Sequence, residues 1–346
     1  MKSQSLLFIQ RRPKRAGAQT SLFRLASVSR HKNIILCSEE GWLTTALPNI
    51  IAHKWPSARS LAGRMGGLKR AAMKINREVQ AAIVIANDHQ ECPIALEIAK
   101  EANIPSIGVL RTPGMSQRDF EKYHCSSCDH NFVVGEELSN KVRQWSGTPS
   151  SLFQEGFLEN EFSSEHQASS AFPEEILIAG SSEPRKGFSD LLDAIRILES
   201  RHAEFPIKKI TLTGEPLEEA IPDLRCQLDF VGRVDDFIAF AKKFQFAVHP
   251  SRSETFGLAP LELIIAGIPT LCSETGCANS GLLPSSWLTN PSSPEDLASS
   301  LEDWINNWST HQKKLPEVIE TIHRQFAIDS TSAEFFSVVD KLLLRS

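Results

Sequence analysis

The sequence predicts an α/β protein built from two doubly wound, Rossmann-like parallel-sheet domains, and three observations carry that prediction. At 346 residues the chain exceeds the usual size of one domain, so two domains of about 150 to 200 residues are expected. Short apolar runs alternate with helical patterns in both halves, at the spacing of strand, crossover helix and parallel strand. Between about residues 146 and 172 the periodicity is lost and Ser, Gly, Thr and acids accumulate, which marks a junction.

In the first half, Ser5–Gln10 (SLLFIQ) reads as a buried strand. A basic loop, Arg11–Arg15, follows it, and Gly17-Ala18-Gln19 opens a helix over Thr20–Val28. Asn33–Cys37, Ala81–Ala86 and Ser106–Leu110 are further strands, the last two separated by a helix from Pro93 to Ala102. Asn131–Val134 closes this half and leads through Gly135-Glu136-Glu137 into a helix. Beyond the junction come a strand at Glu175–Ala179, a helix at Phe188–Ser200, strands at Ile207–Thr213 and Leu228–Val231, a helix at Asp235–Lys243 and a strand at Phe244–Val248. The tail, Thr321–Leu344, has amphipathic helical spacing with Phe326, Phe335, Phe336, Val339 and Leu343 on one side. The expected division is residues 1–150 for the first domain, 151–172 for the linker, 173–320 for the second domain and 321–346 for a terminal helix.

Composition narrows the class. Hydrophobic residues make up 41% of the chain, ordinary for a globular protein. No apolar run reaches the ~18 residues of a membrane span, and the apolar patch near Lys2 and Arg11 is too short for a signal peptide, so a cytoplasmic location is expected. Seven cysteines, an odd number scattered along the chain, suggest reduced thiols. The net charge of −5 hides an asymmetry: residues 1–150 hold 21 Lys and Arg against 12 Asp and Glu, and the remainder 16 against 30. A basic half points either to an anionic partner, such as a phosphorylated glycolipid or an anionic membrane surface, or to a plain solvated face. Nucleic acid fits poorly, because the basic residues lack interleaved aromatics and the chain has one tyrosine.

The most informative stretch is His249–Gly276, HPSRSETFGLAPLELIIAGIPTLCSETG. Pro250 and Ser251 stop a strand, and helical spacing begins at Leu258, with Pro260 in the first turn and Gly267 as the stop. Glu254 and Glu262 thus flank the start of a helix. Gly257 removes a side chain where the free N–H groups of that helix emerge, so an anion can approach its positive end. A carboxylate beside an anion site makes sense where it accepts hydrogen bonds from hydroxyls, which a nucleotide sugar offers. Read without its neighbours, the spacing is also that of any helix start with an acid in its first turns.

This stretch closely resembles the donor-binding segment of family 4 of the retaining glycosyltransferases, enzymes of the GT-B architecture. The resemblance covers nearly the whole chain and is densest over residues 176–276. It implies two domains facing a central cleft, an acceptor held by the first and a nucleotide-diphosphate sugar held by the second. It further implies a hexosyl transfer with retention of configuration, in which the diphosphate departs ahead of attack from the same face. In Gly180–Phe188 (GSSEPRKGF), Lys186-Gly187 matches the family's second half of a phosphate clamp, whereas Ser181 stands where the family often has arginine, a departure for which Arg185 is the candidate substitute. The resemblance gives Lys186, Arg185 and the amides around Gly257 and Leu258 to the diphosphate, Glu254 to the sugar hydroxyls and Glu262 to the ribose diol. Gly214 and Gly232-Arg233, at strand ends, would flank the base, although read alone each is a tight turn that needs glycine. In the first half, Gly17 matches one glycine of the family's usual pair. His89, in Asn87-Asp88-His89 after a strand, would hydrogen-bond the donor sugar and close the site.

No acidic pair suited to a metal diphosphate stands at a strand end, Asp235-Asp236 reading as a helix start, so no metal or other cofactor is expected. His124-Cys125-Ser126-Ser127-Cys128-Asp129-His130 lacks the remote second ligand pair of a zinc site, and its cysteines read as packing residues. The charge and location point to a lipopolysaccharide or other lipid-linked glycan as acceptor, with peripheral contact at the inner face of the membrane. Two rival readings are a GT-B nucleotide-sugar epimerase, whose catalytic acids are not evident, and a binding-only homologue, favoured by the serine at 181 and opposed by retention of Glu254 and Glu262.

Overall fold

A computed structural model describes residues 4–57, 60–112, 114–163, 169–180, 183–214, 223–234 and 236–345. The chain forms two compact units, Met1–Gly156 with Ile328–Ser346, and Phe157–Ala327. Each is a parallel sheet of the doubly wound kind.

In the first unit the strands are β1 (Ser5–Ile9), β2 (Lys32–Cys37), β3 (Ile50–Ala52), β4 (Ile83–Ala86), β5 (Ser106–Leu110), β6 (His130–Val134) and β7 (Ser150–Phe153), in spatial order 3-2-1-4-5-6-7. Helices on both faces leave the central strands without a wet side, so β1 and β4 read as unbroken apolar runs. The chain steps outward from β1 to β3 and then returns to β4 on the other side of β1. Open α/β sheets bind ligands at the carboxyl ends of the two strands where the order reverses. Here those ends carry Gln10–Gly17 and Asn87–His89. The helix Ala333–Leu343 belongs to this unit, where Phe335 lies 4.9 Å from Phe132, 6.0 Å from Phe153 and 6.4 Å from Phe8, measured between ring centroids.

The second unit holds β8 (Glu175–Ile178), β9 (Lys209–Thr213), β10 (Gln227–Gly232), β11 (Ala247–His249), β12 (Thr270–Ser273) and β13 (Leu288–Thr289), in order 10-9-8-11-12-13. Its reversal falls between β8 and β11. A core of Ile176, Ile178, Phe246, Val248, Leu261 and Trp304 fills one side of the sheet.

The elements depart from expectation mainly at edges. Ser150–Phe153, expected as the end of the first domain and start of the linker, is a strand paired with β6 from Asn131↔Ser150 to Val134↔Phe153. Only Phe153 of its four residues is buried, so the strand carries no periodic signal. The three-residue β3, also partly exposed, went unread for the same reason. The tail does not begin a helix at 321: one helix runs from Trp308 to Phe326, Ala327 turns extended (φ −60, ψ 128), and two further helices follow at Ile328–Thr331 and Ala333–Leu343. The helix read at 235–243 covers Phe237–Ala241, capped by the Asp236 carboxylate, which accepts from the Ala239 N–H at 3.1 Å. Asp235 and Ser181 lie outside the described residues. All seven cysteines are free thiols and buried. Among the described residues no helix is long and apolar enough to cross a membrane.

Candidate functional site

In the second unit the chain reversal brings together the loop after β8 and the loop after β11. The first contains a short 3-10 turn, Pro184–Lys186, closed by Gly187 in the left-handed region (φ +68). A Cβ on Gly187 would lie 1.9 Å from the Pro250 carbonyl oxygen, so glycine is required both for the backbone conformation and for the approach of the two loops. Four hydrogen bonds hold them there. The Arg252 N–H donates to the Arg185 carbonyl at 2.7 Å, the Ser251 hydroxyl approaches the same oxygen at 3.1 Å while sharing its one proton with Glu254, and the Arg252 guanidinium grips both oxygens of Asp190 at 2.6 and 2.7 Å.

This seam places Lys186 against Glu254. The Lys186 ammonium donates to Glu254 Oε1 at 2.7 Å, the Ser251 hydroxyl to the same oxygen at 2.8 Å, and His249 Nε2 lies 3.2 Å from it. Arg185 stands 3.6 Å from Oε2 and also donates to the Ser253 carbonyl. Burial alone would push the Glu254 carboxyl up, but the His249 hydrogen bond and the Lys186 ammonium outweigh it and hold the group well below the usual carboxylate range. His249, 2% exposed, is moved the opposite way: burial holds its pKa below the ordinary histidine value despite the neighbouring carboxylate. A neutral imidazole therefore donates from Nε2 to Glu254, and its Nδ1 has no hydrogen-bond partner among the described residues. Arg185 also pairs with the exposed Glu183 carboxylate at 2.6 Å, so two cations, Lys186 and Arg185, stand among two carboxylates and the cluster is balanced in charge.

The reading of Glu254 as an open acceptor for sugar hydroxyls changes in one respect. Oε1 already serves three donors, so Oε2 is the oxygen left with room for a hydroxyl. Gly257 (φ +89) caps the helix Leu258–Ile265, and Glu262 is partly buried within it. A Cβ on Gly257 would meet nothing closer than 3.7 Å, so its left-handed conformation, more than crowding, is what demands glycine. Gly276, at the end of the resembling stretch, is required by space, since a Cβ there would stand 2.4 Å from the Phe256 carbonyl oxygen and 3.0 Å from Glu254 Cβ. Gly214 (φ +92) and Gly232 (φ +70) are both left-handed, the conformation that favours glycine at each, and the Gly214 N–H donates to the Gly232 carbonyl at 2.7 Å. Arg233 is exposed beside them.

At the reversal of the first unit, Gly17 is the first residue of the helix Gly17–Ser27. Asn87 ties that helix to the sheet, donating to the Gln10 side chain at 2.7 Å and to the Ala18 carbonyl at 2.9 Å. His89 is 4% exposed. Its Nδ1 sits 2.6 Å from Asp88 Oδ1 and 3.1 Å from the Thr112 hydroxyl, and its ring meets the Tyr123 ring edge-on at 4.9 Å. The carboxylate orients the ring through Nδ1. Beside it, burial pushes the Glu91 carboxyl up to about 7, partly offset by Arg11 at 3.5 Å.

Sequence reasoning missed His249, Ser251 and the Arg252–Asp190 pair, although the first three of these residues stand in the His249–Gly276 stretch already singled out and Asp190 two residues past Gly180–Phe188. It also missed the buried Arg111–Glu155 pair, whose guanidinium donates to the Asn87 carbonyl and side-chain oxygens. Lone charged residues after strands gave no signal. Among the described residues no group of His, Cys, Asp and Glu is arranged to hold a metal ion. Cys125 and Cys128 are buried in the core of the first unit with Cys92, as packing residues.

Residues 173–307 match the family model of glycosyl transferases group 1. Two curated proteins are similar in sequence: a D-inositol 3-phosphate glycosyltransferase of Jonesia denitrificans, 27% identical over 29% of this chain, and an uncharacterized glycosyltransferase of Methanocaldococcus jannaschii, 26% identical over 38% of this chain. The chain spans only 27% and 38% of those proteins' own lengths. In structure the chain is similar to Anabaena HepE, solved in complex with UDP-glucose, with a TM-score of 0.78, 15% identity and coverage of 98% of this chain and 100% of that one. The fold is GT-B, two Rossmann-like parallel-sheet domains.

Proposed function

We propose that this protein transfers a hexose from a nucleotide-diphosphate sugar, with retention of configuration, to a lipopolysaccharide or other lipid-linked glycan. The observation that carries the reading is the Lys186–Glu254 pair at the chain reversal of the second unit, with Arg185 beside it and the start of the Leu258–Ile265 helix next in sequence. The match of residues 173–307 to glycosyl transferases group 1 and the UDP-glucose bound by the Anabaena neighbour support the nucleotide-sugar donor. In this reading Lys186, Arg185 and the helix N-terminus stabilise the charge that develops on the departing diphosphate, without a metal. Glu254, kept ionised, orients the sugar through Oε2. Glu262 takes the ribose diol, Gly214 and Arg233 border the base, and Gly17 and His89 keep the roles the resemblance implies.

Calorimetry against UDP, GDP, ADP and CMP tests it. Micromolar binding of one diphosphate, weakened at least tenfold in both Glu262→Ala and Lys186→Ala, is expected. Glu254→Ala is expected to abolish sugar transfer while leaving the affinity for the free diphosphate within a few fold. Absence of binding by every nucleotide would refute the reading.

A further inference from the structure

A cavity of about 520 Å³ lies at the amino-terminal edge of the first sheet, opposite the edge that carries Gly17 and His89. The last turns of the helix Gly17–Ser27, the first half of β2 and residues 46–49, which lead into β3, line it. Its volume is that of a small-molecule site. Phe23, Ile35, Leu47 and Pro48 give it an apolar lining, and the Phe23 ring packs against Trp42 with centroids 5.7 Å apart. The ionic lining is of one sign. Lys32 is exposed, and its ammonium has neither an ion pair nor a hydrogen bond among the described residues, whereas no lining residue is acidic. His31 adds no open group, since its Nε2 lies 3.2 Å from Asp340 Oδ1 and its Nδ1 accepts from the Gln4 N–H at 3.4 Å. The Asp340 carboxylate is itself paired with Arg30. The Ser27 hydroxyl donates to the Phe23 carbonyl at 2.8 Å.

We infer that this cavity binds a small organic acid, its apolar body among Phe23, Ile35 and Leu47 and its carboxylate on the Lys32 ammonium. A mostly apolar lining with one cation and no acid complements a ligand of that kind. A nucleoside diphosphate carries more negative charge than a single lysine meets, and a free sugar would bury hydroxyls against side chains that cannot bond them. A metal ion would find neither carboxylate nor thiolate here. The inference goes beyond the transferase reading and does not depend on it, because the cavity lies at the sheet edge away from every residue of the first unit that the reading uses.

The test is calorimetry of the full chain with naphthoate and with naphthalenemethanol, which has the same ring system and no charge. Millimolar or tighter binding of naphthoate, weakened by added salt, is expected, with the alcohol bound about fivefold more weakly. Lys32→Gln should remove that preference, so that the two probes bind alike. Ala46→Trp places an indole in the cavity and should abolish binding of both. Lys186→Ala, in the second unit, should leave both affinities unchanged, because the probes do not occupy the candidate nucleotide site. Lys32 is exposed, so unchanged thermal unfolding is expected of Lys32→Gln, and the comparison of the two probes stands even where Ala46→Trp fails to fold. No binding of naphthoate, equal binding of the two probes by the parent, a preference for naphthoate that survives Lys32→Gln, binding retained by folded Ala46→Trp, or binding lost in Lys186→Ala would each overturn the inference.

Discussion

Gly187→Ala separates backbone conformation from loop contact, because the structure contains a matched control. Gly187 and Gly281 have nearly the same left-handed backbone, φ +68 and φ +75, but a Cβ on Gly281 would meet nothing within 4 Å whereas one on Gly187 would lie 1.9 Å from the Pro250 carbonyl oxygen. The conformational penalty for alanine, about 1–2 kcal/mol, is common to both. At Gly187 the loop must also retreat by about 1.5 Å to reach an ordinary 3.4 Å contact. That retreat removes the hydrogen bonds of Arg252 N–H and Ser251 to the Arg185 carbonyl, at about 1 kcal/mol each. We expect Gly281→Ala to destabilise by about 1–2 kcal/mol and Gly187→Ala by about 3–4 kcal/mol, read from urea midpoints followed by tryptophan fluorescence. Nucleotide affinity, measured in the same preparations, should fall at least tenfold in Gly187→Ala and stay unchanged in Gly281→Ala. Equal destabilisation of the two variants, with nucleotide binding intact in both, would show that the seam between the loops does not position Lys186.

Three further outcomes are expected. The Glu254 carboxyl is held low in the folded protein, so its stabilisation is present above the unfolded value of 4.5 and lost as pH falls below it; Glu254→Gln should be less stable than the parent at pH 7, with the gap closing below about pH 4.5 in urea titrations. Glu91 shifts the other way, to about 7, so its contribution is present below 4.5 and lost as pH rises through about 7; Glu91→Gln should therefore gain stability over the parent at pH 8, by up to about 3 kcal/mol, and no gain would refute the assignment. Phe335→Ala empties a site surrounded by Phe8, Phe132 and Phe153 and should cost about 3–5 kcal/mol in thermal or urea unfolding of the first unit.

The central elements were legible because burial on both faces writes itself into the chain as uninterrupted apolar runs: β5 and the start of the Leu258 helix fall where the sequence puts them. The edges were not, since β3 and β7 bury too little to impose a pattern and owe their conformation to the backbone of a neighbour. Within the site, residues close in sequence to a turn could be named, and Glu254, Lys186 and Gly257 were. What could not be read was pairing at long range. That Lys186 meets Glu254, and that Arg252 meets Asp190, depends on the reversal that sets β8 beside β11 more than 60 residues apart in the chain, a separation that no local spacing encodes. His249 shows a second limit: at the end of a buried strand it looks like core, and only the fold reveals the carboxylate next to its Nε2.

The two units differ in how synthesis can complete them. Residues 157–327 are contiguous, so every strand of the second sheet has left the ribosome once Ala327 has. The first sheet emerges earlier but waits for Ile328–Ser346, and until then the aromatic face formed by Phe8, Phe132 and Phe153 lacks the ring that covers it. The unit that emerges first is thereby completed after the second. A chain cut near residue 327 would keep every strand of the second sheet but lose the helix that covers Phe8, Phe132 and Phe153 in the first unit.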